Sequence, residues 1–338
     1  MASNQTPPIY TGDIAEQNLA AGREYTAQTQ EINFTDGQHD IWADLFAGIH
    51  KSYLLEHVCS QFKHGLTLLG LDPRHIPTVA YLNERINPHT GWRIERTSVR
   101  YTVADDWYKK FAQRIFLITD YLRTRSQMEF TPEPDMFHDI FGHLPYLTQE
   151  FYAHIEDKFA PAYLKATAEE KEVIKRLAWY STEFGLVIED NRLKVFGAGT
   201  ISGRAELTNT IMEFYRLGRD GVVDYTGNVF EQIEQHFHGR QDDIHKVIEG
   251  VNQLHQHGQM SSQETGWNVV HALYDKLGIP HEGYFGGEVI IAPFDIQTIA
   301  LIPKTVYAFN PIFFVCESFS RMDALLDSYL KPISSRTQ

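Results

Sequence analysis

Two histidines, His138 and His143, stand five positions apart, and an aspartate, Asp139, directly follows the first. Imidazole nitrogens and carboxylate oxygens are common ligands of transition metals, so this pair is a candidate start of a metal site. On a regular α-helix, five positions rotate the second side chain by about 140° from the first, so one straight helical face cannot present both. Gly142 permits a local adjustment of the backbone that lets the two side chains converge, and Pro145 is expected near a helix end.

A candidate for the third ligand lies in the mostly apolar run at 179–186, where Glu183 is the only charged residue. A lone carboxylate in apolar surroundings needs a strong partner if it is buried, and a metal ion is one. Two histidines and one carboxylate, with other positions open, form the ligand set of non-haem iron enzymes that use oxygen. The alternative is that Glu183 meets a basic side chain while the histidines form hydrogen bonds within the core.

Further motifs follow these residues in one order along the chain. They are Pro-Glu-Pro-Asp at 132–135 before His-Asp-x-x-Gly-His-x-Pro at 138–145, Glu-Phe-Gly-Leu at 183–186, Gly-Ala-Gly at 197–199 with Ser202 and Glu206, and Asn-Pro at 310–311 with Val-Cys-Glu-Ser-Phe at 315–319. Together they resemble the signatures of the aromatic amino acid hydroxylases, over roughly residues 45–207 and 293–330. The resemblance implies the catalytic fold of that family, which is mainly α with short β-strands (α+β).

The resemblance also implies the cofactors. Ferrous iron, Fe(2+), would be held by His138, His143 and Glu183, and a tetrahydropterin (tetrahydrobiopterin or a bacterial equivalent) would deliver two electrons. Aromatic hydroxylation with O2 needs a redox metal, because ground-state oxygen does not attack closed-shell rings readily. Zinc could occupy the same ligands without supporting this chemistry.

Matched positions imply a binding site for a free aromatic amino acid. Arg123 matches the arginine that binds the substrate carboxylate, Asp135 matches the aspartate that positions this guanidinium, and Thr131 lies at the amino-acid head group. The planar fork of an arginine suits bidentate binding of a carboxylate. Ser202 matches a residue that is hydrogen-bonded to the first iron-binding histidine. The positions that line the ring pocket are matched by Pro134, Trp179, Phe184 and Gly199. Plain core packing is the alternative for these apolar residues.

The pterin side departs from the family pattern. Asp139 stands where the family has an acid near the pterin, and Trp107 stands where an aromatic residue stacks on it. However, the residues at 100–103 replace a loop that usually begins Gly-Leu, and Ala178 stands where a tyrosine is common.

Two positions bear on the substrate. Trp179 favours phenylalanine or tyrosine over tryptophan, whose hydroxylases usually place phenylalanine there, and Val306 aligns where tyrosine hydroxylases tend to carry aspartate. The sequence therefore predicts a monooxygenase that converts phenylalanine to tyrosine. Two alternatives stay open: a relative with altered substrate or regiochemistry in specialised biosynthesis, and a catalytically silent protein that binds aromatic amino acids.

Charge and cysteine content limit the possible partners. The formal net charge of −14 disfavours binding to nucleic acid or to an anionic membrane. The two cysteines, Cys59 and Cys316, lie in apolar contexts, which predicts buried free thiols in a reducing compartment rather than a disulfide. The first ten residues lack the features of a signal peptide, and no apolar run reaches about 18 residues. A cytoplasmic protein is predicted.

The chain is predicted to contain three parts. Residues 1–40 are polar and read as a flexible or extended arm, and residues 41–207 with 293–338 form the catalytic domain. Residues 208–292 replace what is a short connection in the family, and their apolar residues recur at helical spacing. We expect a helical insertion that packs beside the active-site entrance, with a monomer or a small homo-oligomer formed through it.

Overall fold

Helices dominate the architecture in a computed structural model of the chain. The structure describes residues 27–28, 32–50, 53–99, 102–129, 131, 134–219, 223–237, 290–302, 304, 309–310 and 312–337. Within these ranges two small sheets accompany the helices, and the longest strands have five residues. The predicted class, mainly α with short strands, is confirmed.

The helices follow one another along most of the chain. The α-helices are α1 Asp36–His50, α2 Ser60–Leu69, α3 Val79–Thr90, α4 Ala104–Phe111, α5 Leu144–Leu147, α6 Glu150–Glu156, α7 Phe159–Tyr163, α8 Ala168–Ala178, α9 Ala198–Ser202, α10 Arg204–Arg219, α11 Val229–Phe237, α12 Ile296–Leu301 and α13 Phe319–Ser334. Two segments, His138–His143 and Trp179–Glu183, are π-helices, and 3-10 turns lie at Tyr53–His57 and Arg125–Gln127.

The strands form one three-stranded and one four-stranded sheet. They are β1 Ala27–Gln28, β2 Arg93–Thr97, β3 Ile115–Thr119, β4 Leu186–Glu189, β5 Arg192–Val195, β6 Ile290–Pro293 and β7 Ile312–Cys316. The first sheet has the order β1-β2-β3, with β1 antiparallel and β3 parallel to β2. The second has the order β5-β4-β7-β6, in which only the β4–β5 pair is antiparallel. Asp190 and Asn191 connect β4 to β5 with φ of 49° and 55°, values that such a two-residue hairpin turn requires.

Helix α8 delivers its last residue directly into the second π-helix. A capping box starts α8, since the Thr167 side chain accepts from the Glu170 N–H at 3.3 Å and the Glu170 carboxylate accepts from the Thr167 N–H at 2.9 Å. Ile174 and Leu177 bury one face of the helix in the core. This fixed start and buried face set the position of the residues that follow.

Aromatic rings pack behind the first π-helix. Phe137 and Phe141 stack at 4.8 Å between ring centroids, and Trp42 and Phe46 from α1 contact them edge-on. All four rings are at most 4% exposed. Burial of such rings is among the largest apolar contributions to stability, so this cluster holds the histidine-bearing helix against the core.

The described residues run continuously across the predicted boundary at 207/208. Helix α10 spans it and buries Leu207, Ile211 and Phe214 in the same core cluster as the π-helices. Strand β6 crosses the other predicted boundary at 292 and pairs with β7 of the catalytic sheet. Within the predicted insertion, only residues 208–219, 223–237 and 290–292 are described, so the helical patterns at 244–254 and 269–277 lie outside the described residues.

Two smaller expectations also meet the structure. Helix α1 begins at Asp36, inside the predicted 1–40 arm, and Ala27 and Gln28 pair with β2, whereas the rest of that arm before residue 32 lies outside the described residues. Cys59 and Cys316 are free and buried, as predicted. No helix in the described part of the chain is long and apolar enough to cross a membrane.

Candidate active site

The first π-helix explains how two histidines five positions apart reach one point. In a π-helix the backbone hydrogen bond joins residues i and i+5, so side chains at that separation lie above one another. The Nε2 atoms of His138 and His143 are 3.1 Å apart, with the rings edge to face at 4.7 Å between centroids. The wider turn is therefore the local adjustment that the spacing requires. Gly142 was expected to permit a backbone adjustment. The structure gives it another role, close packing, because a Cβ at this position would lie 2.7 Å from the Ala198 carbonyl oxygen.

The second π-helix carries the carboxylate. The Phe184 N–H donates to the Trp179 carbonyl oxygen at 2.9 Å, which is the i to i+5 bond that widens this turn. Glu183 Oε1 lies 3.1 Å from His143 Nε2, and Oε2 lies 3.6 Å from His138 Nε2. In the described part of the chain this is the one group of three candidate ligands, and their ligand atoms lie within 4.8 Å of one another.

A backbone loop holds the Glu183 turn in place. A Cβ at Gly197 would lie 2.4 Å from the carbonyl oxygen of Glu183, so only glycine lets the loop before α9 approach this closely. From α9, Ser202 Oγ lies 2.9 Å from His138 Nδ1 and 3.3 Å from the Gly199 carbonyl oxygen. The hydroxyl donates to that carbonyl and accepts from the Nδ1–H, which leaves the lone pair of His138 on Nε2, the nitrogen nearest to Glu183.

Electrostatics fit this donor set to a divalent metal. Burial lowers the pKa of His138 to about 4, so its imidazole is neutral and can bind a metal through its lone pair. Burial alone would raise the pKa of Glu183, but the favourable interaction of its ionised form with His143, and to a lesser extent with His138, lowers the pKa to about 2, so the carboxylate is ionised. Burial opposes protonation of His143, yet the Glu183 carboxylate outweighs it and raises the pKa of His143. A metal cation bound here would balance the charge of the Glu183 carboxylate in place of the proton on His143. A set of two histidines and one carboxylate suits ferrous iron.

Arg123 and Asp135 form a buried, bidentate ion pair beside this centre. Arg123 Nε and Nη2 donate to the two Asp135 oxygens, each at 2.8 Å, and the Arg123 backbone N–H donates to Oδ2 at 2.9 Å. Asp135 Oδ1 also accepts from the backbone N–H of His138 at 3.0 Å. The side chains are 2% and 0% exposed. Asp135 therefore fixes the guanidinium and links it to the first histidine.

A hydrogen-bonded relay fixes the indole of Trp179. Its Nε1–H donates to Asn310 Oδ1 at 2.9 Å, and Asn310 in turn donates to Glu206 Oε1 through its backbone N–H at 2.8 Å and through Nδ2 at 2.9 Å. Phe184 packs against the indole at 4.5 Å between ring centroids. Trp179 is thus held at its edge by hydrogen bonds and on its side by an aromatic ring.

One cavity of about 260 Å³ joins these groups. Of the predicted site residues, those that line it are Trp107, Arg123, Thr131, Pro134, His138, Asp139, His143, Trp179, Glu183, Phe184, Gly199 and Ser202. Asp135 lies behind Arg123 and is fully buried. The structure therefore brings the predicted site residues into one place.

The predicted pterin residues lie on the side of the cavity formed by α4 and β3. Trp107 stacks on Phe111 at 5.2 Å and meets Phe116 edge-on at 5.1 Å. Asp139 accepts from the Thr119 N–H at 2.8 Å, and burial raises the pKa of its carboxyl to about 8. Phe116 also contacts the ring of His143 at 5.2 Å, which connects this side to the metal ligands.

Several charged or polar cavity residues have no predicted role, among them Lys175, Glu156, Glu206 and Lys304. Lys304 Nζ lies 5.5 Å from the Trp179 ring centroid. Glu206 belongs to the motif that begins at Gly197, so the sequence alone could have indicated a role for it in the site. Glu156 and Lys304 belong to none, and they reach the cavity through tertiary packing of α6 and of the chain before β7.

The fold and the site define a helical, non-haem metal enzyme with a built pocket for a small aromatic ligand. The family described as biopterin-dependent aromatic amino acid hydroxylase matches residues 13–226, which is more than half of the chain. The chain belongs to this family.

Individual relatives agree with this assignment. Phenylalanine-4-hydroxylase of Pseudomonas aeruginosa is 29% identical over 182 residues, which cover 54% of this chain and 69% of that protein. The chloroplastic phenylalanine 4-monooxygenase of Pinus taeda is 32% identical over 190 residues, which cover 56% of this chain and 53% of that protein. The crystal structure of Chromobacterium violaceum phenylalanine hydroxylase with bound iron(III) and 7,8-dihydrobiopterin superposes with a TM-score of 0.62 at 22% identity, covering 96% of this chain and 94% of that one. This last likeness concerns the fold.

Proposed function

We propose that this protein hydroxylates the ring of free phenylalanine to give tyrosine, using iron, a tetrahydropterin and O2. The observation that carries the proposal is the convergence of His138, His143 and Glu183 within 4.8 Å on a cavity that also holds a fixed arginine and an aromatic wall. The relatives above act on phenylalanine by name. Bound iron, with two electrons from the pterin, would supply the activation of O2 that ring hydroxylation requires.

Arg123 binds the substrate carboxylate in this proposal. Its Nε and Nη2 are committed to Asp135, which orients the guanidinium, while no described residue bonds to Nη1. Asp135 also holds the backbone of His138, so substrate binding and metal binding depend on one carboxylate. Thr131, which lines the cavity, contacts the head group of the same substrate.

The substrate ring lies against the wall formed by Pro134, Trp179, Phe184 and Gly199. These surfaces are apolar, so a phenyl ring gains by burial there and displaces water from the reacting carbon. Because the relay through Asn310 fixes the indole, the wall is rigid and can orient one ring position toward the ligand histidines. Ser202 supports this by fixing the tautomer and orientation of His138.

The pterin binds on the opposite side in this proposal, against Trp107 and near Asp139. Trp107 is supported by Phe111 and Phe116, so its ring is a fixed stacking surface. The buried Asp139 carboxyl lines the same cavity, where it can bond a polar edge of a pterin.

The decisive experiment supplies anaerobically iron-loaded protein with a tetrahydropterin, O2 and separate aromatic amino acids. Products are identified by mass and by ring substitution. We expect tyrosine from phenylalanine, with one O2 consumed per product. Formation of another ring isomer, or a preference for tyrosine or tryptophan, would assign a relative with altered specificity. Stoichiometric iron without oxygen consumption on any amino acid would refute the enzyme and favour a binding protein.

We also propose a cytoplasmic location, supported by the two free, buried thiols of Cys59 and Cys316. Residues 208–292 are proposed to be a helical insertion through which a small homo-oligomer can form, the alternative being a monomer. Because α10 and α11 contribute buried residues to the core, the test should spare them. Replacing residues 238–289 by a Gly/Ser linker and measuring the mass in solution would show whether this segment joins subunits.

A further inference from the structure

Glu206 places a carboxyl group on the amino-acid side of the cavity. It lies in the first turn of α10, four positions after Ser202, and lines the cavity although it is only 5% exposed. The proposed function gives it no role. A buried carboxyl group needs a specific partner, because its desolvation is costly otherwise.

The two carboxylate oxygens of Glu206 differ in their partners. Oε1 accepts both donors of Asn310, the backbone N–H at 2.8 Å and Nδ2 at 2.9 Å. Oε2 has no hydrogen-bond partner within the described residues. The relay to Trp179 therefore uses one oxygen and leaves the other for a ligand in the cavity.

No described cation balances this carboxyl. Burial raises the pKa of Glu206 to about 7, and only the hydrogen bonds from Asn310 act against it. The other cavity carboxylates differ, since Glu183 faces the two histidines and the charge of His143 acts on Glu156 and Asp139. A ligand that brings a positive charge to Glu206 would stabilise its ionised form.

A free amino acid carries one negative and one positive group on the same carbon. Arg123 offers a cation for the carboxylate, but the α-ammonium group also loses water on entering the cavity and needs an acceptor. We propose that Oε2 of Glu206 accepts a hydrogen bond from the α-ammonium group of the substrate, so that Arg123 and Glu206 bind its two charges. This inference rests on the proposed function, because it presumes an amino acid in the cavity.

The test compares two ligands that differ only in the amino group, phenylalanine and 3-phenylpropanoate, on iron-loaded wild-type enzyme and on Glu206→Gln. Glutamine keeps an acceptor for Asn310 but replaces the charged Oε2 by a donor. The KM and the calorimetric Kd of phenylalanine should rise by about 10- to 100-fold, the loss expected for a hydrogen bond to a charged group. The Kd of 3-phenylpropanoate should change less than about twofold, and kcat at saturating phenylalanine less than about threefold.

Glu156→Gln is the matched control, because it removes the charge of another buried carboxyl group that lines the same cavity and should change the affinity for both ligands equally. Glu206→Asp retains the charge on a shorter side chain, so its loss of phenylalanine affinity should be smaller than that of Glu206→Gln. Iron content and the midpoint of thermal unfolding verify that each variant is folded. If Glu206→Gln does not fold, the comparison of Glu206→Asp with the wild type decides, since the shortened side chain should weaken phenylalanine alone.

Three results would overturn the inference. The wild type could bind phenylalanine and 3-phenylpropanoate equally, Glu206→Gln could weaken both to the same extent, or the KM of the tetrahydropterin could rise in place of that of phenylalanine. The second would leave Glu206 as a positioning residue for Trp179, and the third would assign Oε2 to the cofactor. Absence of turnover and of binding by the wild type with every aromatic amino acid would instead refute the proposed function.

Discussion

The two sides of the cavity are built by different forces. On the amino-acid side, Arg123 is fixed by a bidentate ion pair and Trp179 by a relay of hydrogen bonds. On the pterin side, Trp107 is fixed by contacts with Phe111 and Phe116. A buried polar network loses much when one member changes, because its partners remain buried and unsatisfied. Aromatic packing depends on shape and area, so it tolerates a substitution that conserves the ring. The amino-acid side should therefore be the more sensitive to conservative substitution.

The largest effect should come from the residue that both sides share. Glu183→Ala removes the carboxylate that lies 3.1 Å from His143 and 3.6 Å from His138. We expect the loss of most bound iron and of nearly all activity, while the protein remains folded because alanine fits a helical turn. Metal analysis measures the bound iron, turnover assays measure the activity, and far-UV circular dichroism shows whether the protein is folded. A fully active variant would contradict the ligand assignment.

On the amino-acid side, Arg123→Lys keeps the charge but loses the fork. Lysine cannot donate to both Asp135 oxygens in this geometry, so the guanidinium position is lost and Asp135 is left buried with fewer donors. We expect the KM for phenylalanine to rise at least about tenfold, equal to about 1.4 kcal/mol, with the pterin KM unchanged within about twofold. Steady-state kinetics with each substrate varied in turn provide the measurement.

Arg125→Lys is the matched control for this substitution. Arg125 lies two positions further along, is 58% exposed and pairs with Asp44 at the surface. Exposed ion pairs contribute little, so its kinetics should equal those of the wild type. If the KM for phenylalanine rose less than about twofold in Arg123→Lys, the ion pair of Arg123 with Asp135 would not be what makes the amino-acid side sensitive to substitution.

The ligand residues could be predicted from the sequence because each carries a local signal. His138 and His143 stand close in the chain, and Glu183 is the single charge in an apolar run. The sequence also showed that a regular helix could not present both histidines. It did not predict the π-helix, because the wider turn is stabilised by packing against Ala198 at the start of α9 and against the aromatic cluster behind it.

The relay to Trp179 could not be predicted in the same way. Trp179 and Asn310 are 131 positions apart, and their contact exists only because β7 pairs with β4 in the second sheet. Strand pairing at this separation leaves no pattern in either segment.

Asn310→Ala tests the relay, with a smaller expected effect. The substitution removes the acceptor of the Trp179 Nε1–H and one of the two donors to Glu206. Of the two lost hydrogen bonds, the one from Trp179 orients the wall of the substrate pocket; its loss costs about 1 kcal/mol, so we expect the KM for phenylalanine to rise about fivefold. Quenching of tryptophan fluorescence by acrylamide should increase as the indole becomes mobile.

Asn310→Asp retains the acceptor for the indole but places a second carboxyl beside Glu206, so it should lower stability more than Asn310→Ala. An unchanged KM in Asn310→Ala would show that packing against Phe184 alone fixes the indole.

The smallest effect is expected on the pterin side, for Trp107→Phe. Phenylalanine keeps an aromatic face against Phe111 and Phe116, whose centroids lie 5.2 and 5.1 Å from that of the indole. An aromatic pair contributes about 0.5–1.5 kcal/mol beyond its buried area, and a smaller ring retains part of this, so the pterin KM should change less than about threefold. Trp107→Ala removes the ring altogether and should raise the pterin KM about tenfold, with the phenylalanine KM unaffected. These values are measured by varying the pterin at saturating phenylalanine.

A rise of the pterin KM above about tenfold in Trp107→Phe would mean that a specific polar or shape contact of the indole recognises the pterin. Both sides of the cavity would then be equally sensitive to a conservative substitution. The difference between a side fixed by polar bonds and a side fixed by aromatic packing would not hold.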